Sequence, residues 1–90
     1  YRARFEGGME PDEIKELINQ MAPAARVECE DLTGTRDHWK VTVISTVFDG
    51  KTTLEKHRMV KSLFHSRFED GSLHALTLKL YSLSQWEKTN

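Results

Sequence analysis

Four histidines, one cysteine and a run of basic residues are the side chains best suited to chemistry in this sequence. Imidazole is a ligand for borderline metal ions and a proton carrier near neutral pH, so the spacing of the histidines sets the first question. His38 opens one stretch of alternating apolar and polar residues, His38 to Phe48, and His74 opens another that runs to Tyr81. If these stretches are neighbouring parallel strands about 4.8 Å apart, both rings begin at the same end of a sheet and reach one metal-sized site. His57 and His65 lie eight residues apart on the segment between them and converge less readily. Cys29 alternates with Val27 on a third strand-like stretch, where it reads either as a small buried hydrophobe or as a ligand. Lys51, Lys56, Arg58, Lys61 and Arg67 form the basic run, which suits an acidic partner or phosphates and equally suits a solvated helix face.

Two histidines do not complete a metal site. Structural zinc takes four protein ligands and catalytic zinc three plus water, and no acidic or cysteine pattern in the sequence fills either set. Ligands from outside the chain would have to complete it, as in a 2Fe-2S centre shared at an interface, which accepts histidine as well as thiolate. The alternative reading makes His74 a strand cap and leaves His38 solvated. The sequence has no nucleophile elbow, P-loop, G-x-G-x-x-G, C-x-x-C or HExxH pattern, so the common catalytic constellations are missing.

The elements that must position these residues follow from periodicity. Pro11, Asp12 and Glu13 suit the first turn of a helix, and Ile14, Leu17, Ile18 and Met21 give it one apolar stripe before Pro23 ends it. Arg26 to Leu32 alternates as a strand, and the short polar loop from Thr33 to Asp37 favours antiparallel pairing with the strand from His38 to Phe48. Thr52 and Glu55 have the spacing of a capping box, predicting a helix from Thr53 whose core face carries Val60, Leu63, Phe64 and Phe68. Asp70, Gly71 and Ser72 stop it, Leu76, Leu78 and Leu80 alternate as a strand, and Ser82 to Trp86 starts a short last helix. The predicted fold is α+β, in the order α-β-β-α-β-α. Its three-stranded mixed sheet has helices packed on one face, and its central strand runs antiparallel to the first and parallel to the third.

Ninety residues, 30% of them charged, bound this to one domain with a modest core, held by about 5–10 kcal/mol. That margin points to surface recognition rather than a deep preformed active site. Residues 1–8 lack periodicity and read as an added leader or flexible lead, with the domain spanning 9–90. A single cysteine and the lack of a long apolar run or signal-like start predict a reducing, intracellular setting. Net charge is −1, with −4 on residues 1–37 and +3 on residues 38–90.

The motifs FDGK, KHRMVKSLF and LHALTLKLYSLSQW, in this order between Pro11 and Trp86, resemble the BolA-like proteins. The family pattern runs F-x-G-K, R-H-R-[ML]-V, H-A-[LF] and T/S-x-x-x-W, and Lys56 stands where arginine is usual. The resemblance implies a KH-like fold and no enzymatic activity of the chain itself. It further implies a heterodimer with a monothiol glutaredoxin, bridging a glutathione-ligated 2Fe-2S cluster in iron-sulfur trafficking or iron regulation. His74 matches the family's ligand histidine. The family's second ligand is a Cys or His in the loop between the first two strands; Thr33 to Asp37 contains neither, and His38 at the loop's end takes that place. The partner surface is expected at Lys51, Lys56, Arg58 and Lys61. The chain would be a monomer alone, off the membrane, in the cytoplasm with the nucleus as a second compartment. The alternative function is nucleic-acid binding in transcription control, against which stand the lack of a G-x-x-G clamp and the non-basic net charge.

Overall fold

In the computed structural model, which describes residues 8–89, helix α1 (Pro11–Met21) is followed by strands β1 (Arg26–Asp31) and β2 (His38–Ile44). A 3-10 turn (Thr46–Phe48), helix α2 (Thr53–Leu63), a short helix α3 (His65–Glu69), strand β3 (Ala75–Tyr81) and helix α4 (Leu83–Thr89) complete the chain. The sheet order is β1-β2-β3, with β1 antiparallel and β3 parallel to the central strand.

The helices start where their caps require. The Glu10 backbone N–H donates to the Glu13 carboxylate at 2.9 Å, with Pro11 just inside the helix, so the free donors of the first turn are partly satisfied. The α2 box is reciprocal, since the Thr52 N–H donates to Glu55 Oε1 at 2.8 Å and the Glu55 N–H to Thr52 Oγ1 at 3.1 Å. These bonds hold the Glu55 carboxyl below its usual pKa, the backbone donation being the larger cause. Ile14 and Ile18 from α1 and Val60 and Phe64 from the α2 segment are fully buried against Trp39, Val41 and Val43 of β2 and Leu78 and Leu80 of β3. The other face of the sheet leaves Glu28, Glu30, Thr77 and Lys79 exposed.

Three expectations need correction. The second strand ends at Ile44, because the Ser45 hydroxyl accepts the Val47 N–H at 3.1 Å and turns the chain into the 3-10 segment. Phe48 is a buried core residue of that turn and closes no strand. The central helix is broken at Phe64, whose φ of −103° and ψ of 7° separate α2 from α3. Phe64 remains fully buried there while Leu63 and Phe68 are half-buried. Finally, Gly8, expected in the lead, packs against the Arg36 backbone beside Met9. Met9 is fully buried, its N–H donates to the Arg36 carbonyl at 2.8 Å, and a Cβ on Gly8 would lie 2.1 Å from that same oxygen. The rest of the expected lead, residues 1–7, lies outside the described residues.

α4 closes the end of the sheet opposite the starts of β2 and β3. Ser82 and Gln85 cap it reciprocally, at 3.0 and 3.2 Å, and the Trp86 ring meets Tyr81 with centroids 5.3 Å apart. The Arg26 guanidinium lies over the same indole. Trp86 thus anchors the last helix to the sheet.

Candidate metal centre

The site is built by backbone geometry before any side chain enters. Parallel register pairs His38 with Ala75, which sets His74 one residue earlier at the same sheet end. The Asp37 carbonyl accepts from both the His74 N–H at 2.7 Å and the Ala75 N–H at 3.1 Å, clamping the two segments together. On the far side His74 follows Leu73, which is fully buried and donates its N–H to the Arg67 carbonyl at 3.1 Å. The preceding loop is equally tied. Asp31 accepts the Gly34 N–H at 3.0 Å, Arg36 adopts a left-handed φ of 61°, and the Arg36 carbonyl takes the Trp39 indole N–H at 2.8 Å. A left-handed conformation at a non-glycine residue is costly, and here those hydrogen bonds and the Arg36–Glu10 ion pair hold it.

His38 and His74 then meet edge to face, with ring centroids 5.9 Å apart. Asp37 stands between them, one carboxylate oxygen 2.8 Å from His38 Nδ1 and the other 3.0 Å from His74 Nδ1. Donation from Thr35 Oγ1 and from His38 holds the Asp37 carboxyl below its usual pKa, the threonine being the larger cause. An ionised carboxylate only accepts hydrogen bonds, so the contact with Asp37 assigns the proton to Nδ1 of each ring, and in an imidazole so protonated Nε2 is the nitrogen with a lone pair to offer a metal. This is the carboxylate–histidine pairing that orients imidazole ligands in metal sites. Asp37, His38 and His74 form one cluster of potential ligand atoms, all within 4.8 Å of one another. Both rings are partly open to solvent, their side chains 39% and 58% exposed.

Sequence reasoning brought the two histidines together and missed the carboxylate. Asp37 was assigned to a polar loop; the signal that could have found it is its place directly before His38, where a strand start in parallel register also faces the start of β3. The expectation that no acidic pattern in the sequence adds to the two histidines is corrected by this cluster, in which Asp37 supplies a third potential ligand. Cys29 lies opposite Val41, three residues along β2 from His38, and is half-buried against the core. Desolvation pushes its thiol pKa up, which disfavours the thiolate that metals and electrophiles need.

The four expected partner-surface residues do not form one patch. Lys56 is buried, 4% exposed, with Nζ donating to Gln85 Oε1 at 2.8 Å, and so leaves the surface set. Its buried position on α2 faces α4, which is why a lysine in a basic run turns inward. Lys51 precedes α2, at the sheet end away from the histidines. Arg58 and Lys61 remain on an open groove of about 700 Å³, lined also by Ser62, His65 and Phe68. His65 pairs with Glu69 at 3.3 Å and takes no part in the Asp37 cluster.

A small α+β domain that presents its one cluster of metal-ligating side chains, among the described residues, at an open sheet edge defines the class. The family model described as BolA-like protein matches residues 9–85, and the chain belongs to this family. Mouse BolA-like protein 2 is 33% identical over 79 residues, covering 86% of this chain and 90% of the relative. The relative in Escherichia coli K12 named DNA-binding transcriptional regulator BolA is 35% identical over 54 residues, 60% of this chain and 50% of that protein. Among solved structures, BolA1 from Arabidopsis thaliana superposes with a TM-score of 0.76 at 23% identity, covering 86% of this chain and 98% of that one, a likeness of fold. No helix of the described residues is long and apolar enough to cross a membrane.

Proposed function

We propose that this chain is a binding partner of a monothiol glutaredoxin and holds, together with that protein and glutathione, a shared 2Fe-2S cluster in iron-sulfur trafficking or iron regulation. His74 is the chain's principal ligand and His38 the second. The observation that carries this reading is the pair of histidine rings at one open edge, each with Nδ1 held by Asp37 and Nε2 left to ligate. The donor chemistry fits. Two imidazoles can serve an iron of a 2Fe-2S centre, while the thiolates such a cluster also needs are not available here, Cys29 being three residues along the sheet and kept protonated by burial. The cluster is cargo, passed on or sensed, and the chain's part is to bind and orient it; it acts as a binding module and not as an enzyme. Apart from the partner it is a monomer, in the cytoplasm with the nucleus as a second compartment.

The groove with Arg58 and Lys61 is the partner surface in this reading, sharing the α2–α3 side of the domain. Reversing both to Glu should leave the fold intact and weaken glutaredoxin binding, more at low salt than at high salt. Equal affinity at both ionic strengths would remove that surface from the interface. For the function as a whole, the apo-chain is mixed with cluster-loaded monothiol glutaredoxin and followed by native mass and visible absorption. A heterodimer with an altered cluster spectrum is the expected result; unchanged glutaredoxin homodimer would overturn the proposal.

The name of the E. coli relative favours one second reading, nucleic-acid binding through the same basic groove. Filter binding to duplex DNA across a salt series tests it, with a steep loss of affinity as salt rises expected if Arg58 and Lys61 neutralise phosphates.

A further inference from the structure

Segments distant in sequence meet at the peptide groups of Arg36, the residue that precedes Asp37. The Arg36 N–H donates to the Asp31 carboxylate, at 3.3 Å to one oxygen and 3.2 Å to the other. The Arg36 carbonyl accepts the Met9 N–H and the Trp39 indole N–H, each at 2.8 Å. We propose that Gly8, Met9 and Glu10 form a strap that aims Asp37, holding the left-handed turn at Arg36 so that the Asp37 carboxylate stands between the rings of His38 and His74. Gly8 and Glu10 are then positioning residues, acting on the histidines through Arg36 and Asp37. The inference rests on the shared-cluster reading for its functional consequence, while the strap itself is a property of the chain alone.

The two peptide planes flanking Arg36 are set by different parts of the chain. Asp31 holds the plane on its N-terminal side, while Met9 and Trp39 hold the plane on its C-terminal side, from which Asp37 emerges. Two planes fixed in space fix the φ and ψ between them, and here they impose a φ of 61°, which a residue with a Cβ adopts only under constraint. The hold is firm because Met9 is fully buried in the core, so its N–H is placed independently of the loop. The next residue, Glu10, pairs its carboxylate with the Arg36 guanidinium. On the other side the Asp37 backbone cannot retreat, since its own carbonyl is clamped by the His74 and Ala75 N–H groups. A shift of the Arg36 peptide is therefore taken up at Asp37, whose side chain turns relative to the two rings.

Gly8 is the residue at which the strap can be loosened without touching the core or the histidines. Its φ is +63°, and a Cβ there would lie 2.1 Å from the Arg36 oxygen and 2.5 Å from its carbonyl carbon. Both are backbone atoms, so a side chain at position 8 pushes the Arg36 peptide against its bond to the Met9 N–H. Gly50 supplies the matched control. Its φ is +74°, nothing lies within 4 Å of a Cβ added there, and it sits beside Lys51 at the sheet end away from the histidines. Gly50→Ala thus carries a similar backbone cost without the contact. His57 and His65 give an internal control within each variant, because neither joins the Asp37 cluster.

The test reads the imidazoles of the apo-chain by long-range proton–nitrogen correlation NMR, above the ordinary imidazole pKa of about 6.5, where the rings are neutral. Wild type should show His38 and His74 with the proton on Nδ1. In Gly8→Ala both rings should shift toward a mixture of tautomers, and in Glu10→Gln, which keeps a side-chain acceptor for the helix cap, they should shift less; His57 and His65 should not change in either. Gly50→Ala should lose stability in urea and keep the wild-type signals of every histidine. With the cluster bridged to glutaredoxin, decay should be about tenfold faster in Gly8→Ala, the low end of what outer-shell partners of metal ligands cost, and unchanged in Gly50→Ala. Wild-type His38 and His74 signals in folded Gly8→Ala, or shifts of equal size in Gly50→Ala, would overturn the proposal, as would wild-type rings protonated on Nε2. Should circular dichroism show Gly8→Ala unfolded, wild-type signals in Glu10→Gln would overturn it instead. A wild-type chain that bridges no cluster counts against the shared-cluster reading and leaves the strap to the NMR result.

Discussion

Lys56 and Gln85 offer a test of whether a lysine in the basic run serves the core instead of the surface. Lys56 is 4% exposed, and its ammonium donates to Gln85 Oε1 at 2.8 Å, the same oxygen that accepts the Ser82 N–H at 3.0 Å. Removing the acceptor and removing the charge should therefore have unequal effects. Gln85→Ala takes away a charge-assisted bond from a buried ammonium, costing about 2–3 kcal/mol, and part of the α4 cap, about 1 kcal/mol more. Lys56→Met removes the charge with the bond and keeps an unbranched apolar chain of similar volume, so its cost should stay below about 1.5 kcal/mol. In the double variant no stranded ammonium remains, and the sum should be undershot by about 1–2 kcal/mol. Urea denaturation resolves these values, since with a slope of about 1 kcal/mol/M the Gln85→Ala midpoint should fall by about 3 M. A Gln85→Ala midpoint equal to wild type, or a larger loss in Lys56→Met than in Gln85→Ala, would refute the buried pairing.

Phe64 is fully buried at the break between α2 and α3, so Phe64→Ala should cost about 3–5 kcal/mol, measured by the same denaturation; the half-buried Leu63 should cost less than Phe64 when changed to Ala. The α2 capping box gives a pH dependence. Because the native pKa of Glu55 is depressed, its contribution is complete above the ordinary glutamate value of about 4.3 and is lost as pH falls through the lower native value. The gap in melting temperature between wild type and Glu55→Gln should therefore close on acidification, and a gap that widens instead would contradict the cap.

Much of this fold is written in local signals. The Thr52/Glu55 and Ser82/Gln85 spacings marked two helix starts, and alternation in β2 and β3 with one helical connection placed His38 and His74 at one sheet end. What was not legible depends on contacts far apart in sequence. Lys56 faces a glutamine 29 positions away, so nothing in its own neighbourhood distinguishes it from the exposed Arg58 and Lys61. The break at Phe64 interrupts an apolar pattern that continues through it, since Phe64 itself stays in the core on either account. Asp37 was hidden because its side chain is aimed by a left-handed Arg36 and by a carbonyl clamp to β3, neither of which has a signature in residue type.

The central claim, ligation of a shared cluster by His74 with His38 beside it, is tested most directly by visible circular dichroism of the glutaredoxin-bridged cluster formed with wild type, His74→Ala and Cys29→Ser. His74→Ala should still fold and retain much of the apo-heterodimer affinity, because its side chain is 58% exposed and such substitutions usually change stability by less than about 0.5 kcal/mol. Its cluster spectrum should differ from wild type and decay faster, while Cys29→Ser should match wild type. A wild-type spectrum in His74→Ala together with loss of the cluster in Cys29→Ser would contradict the account and move the ligand set to β1.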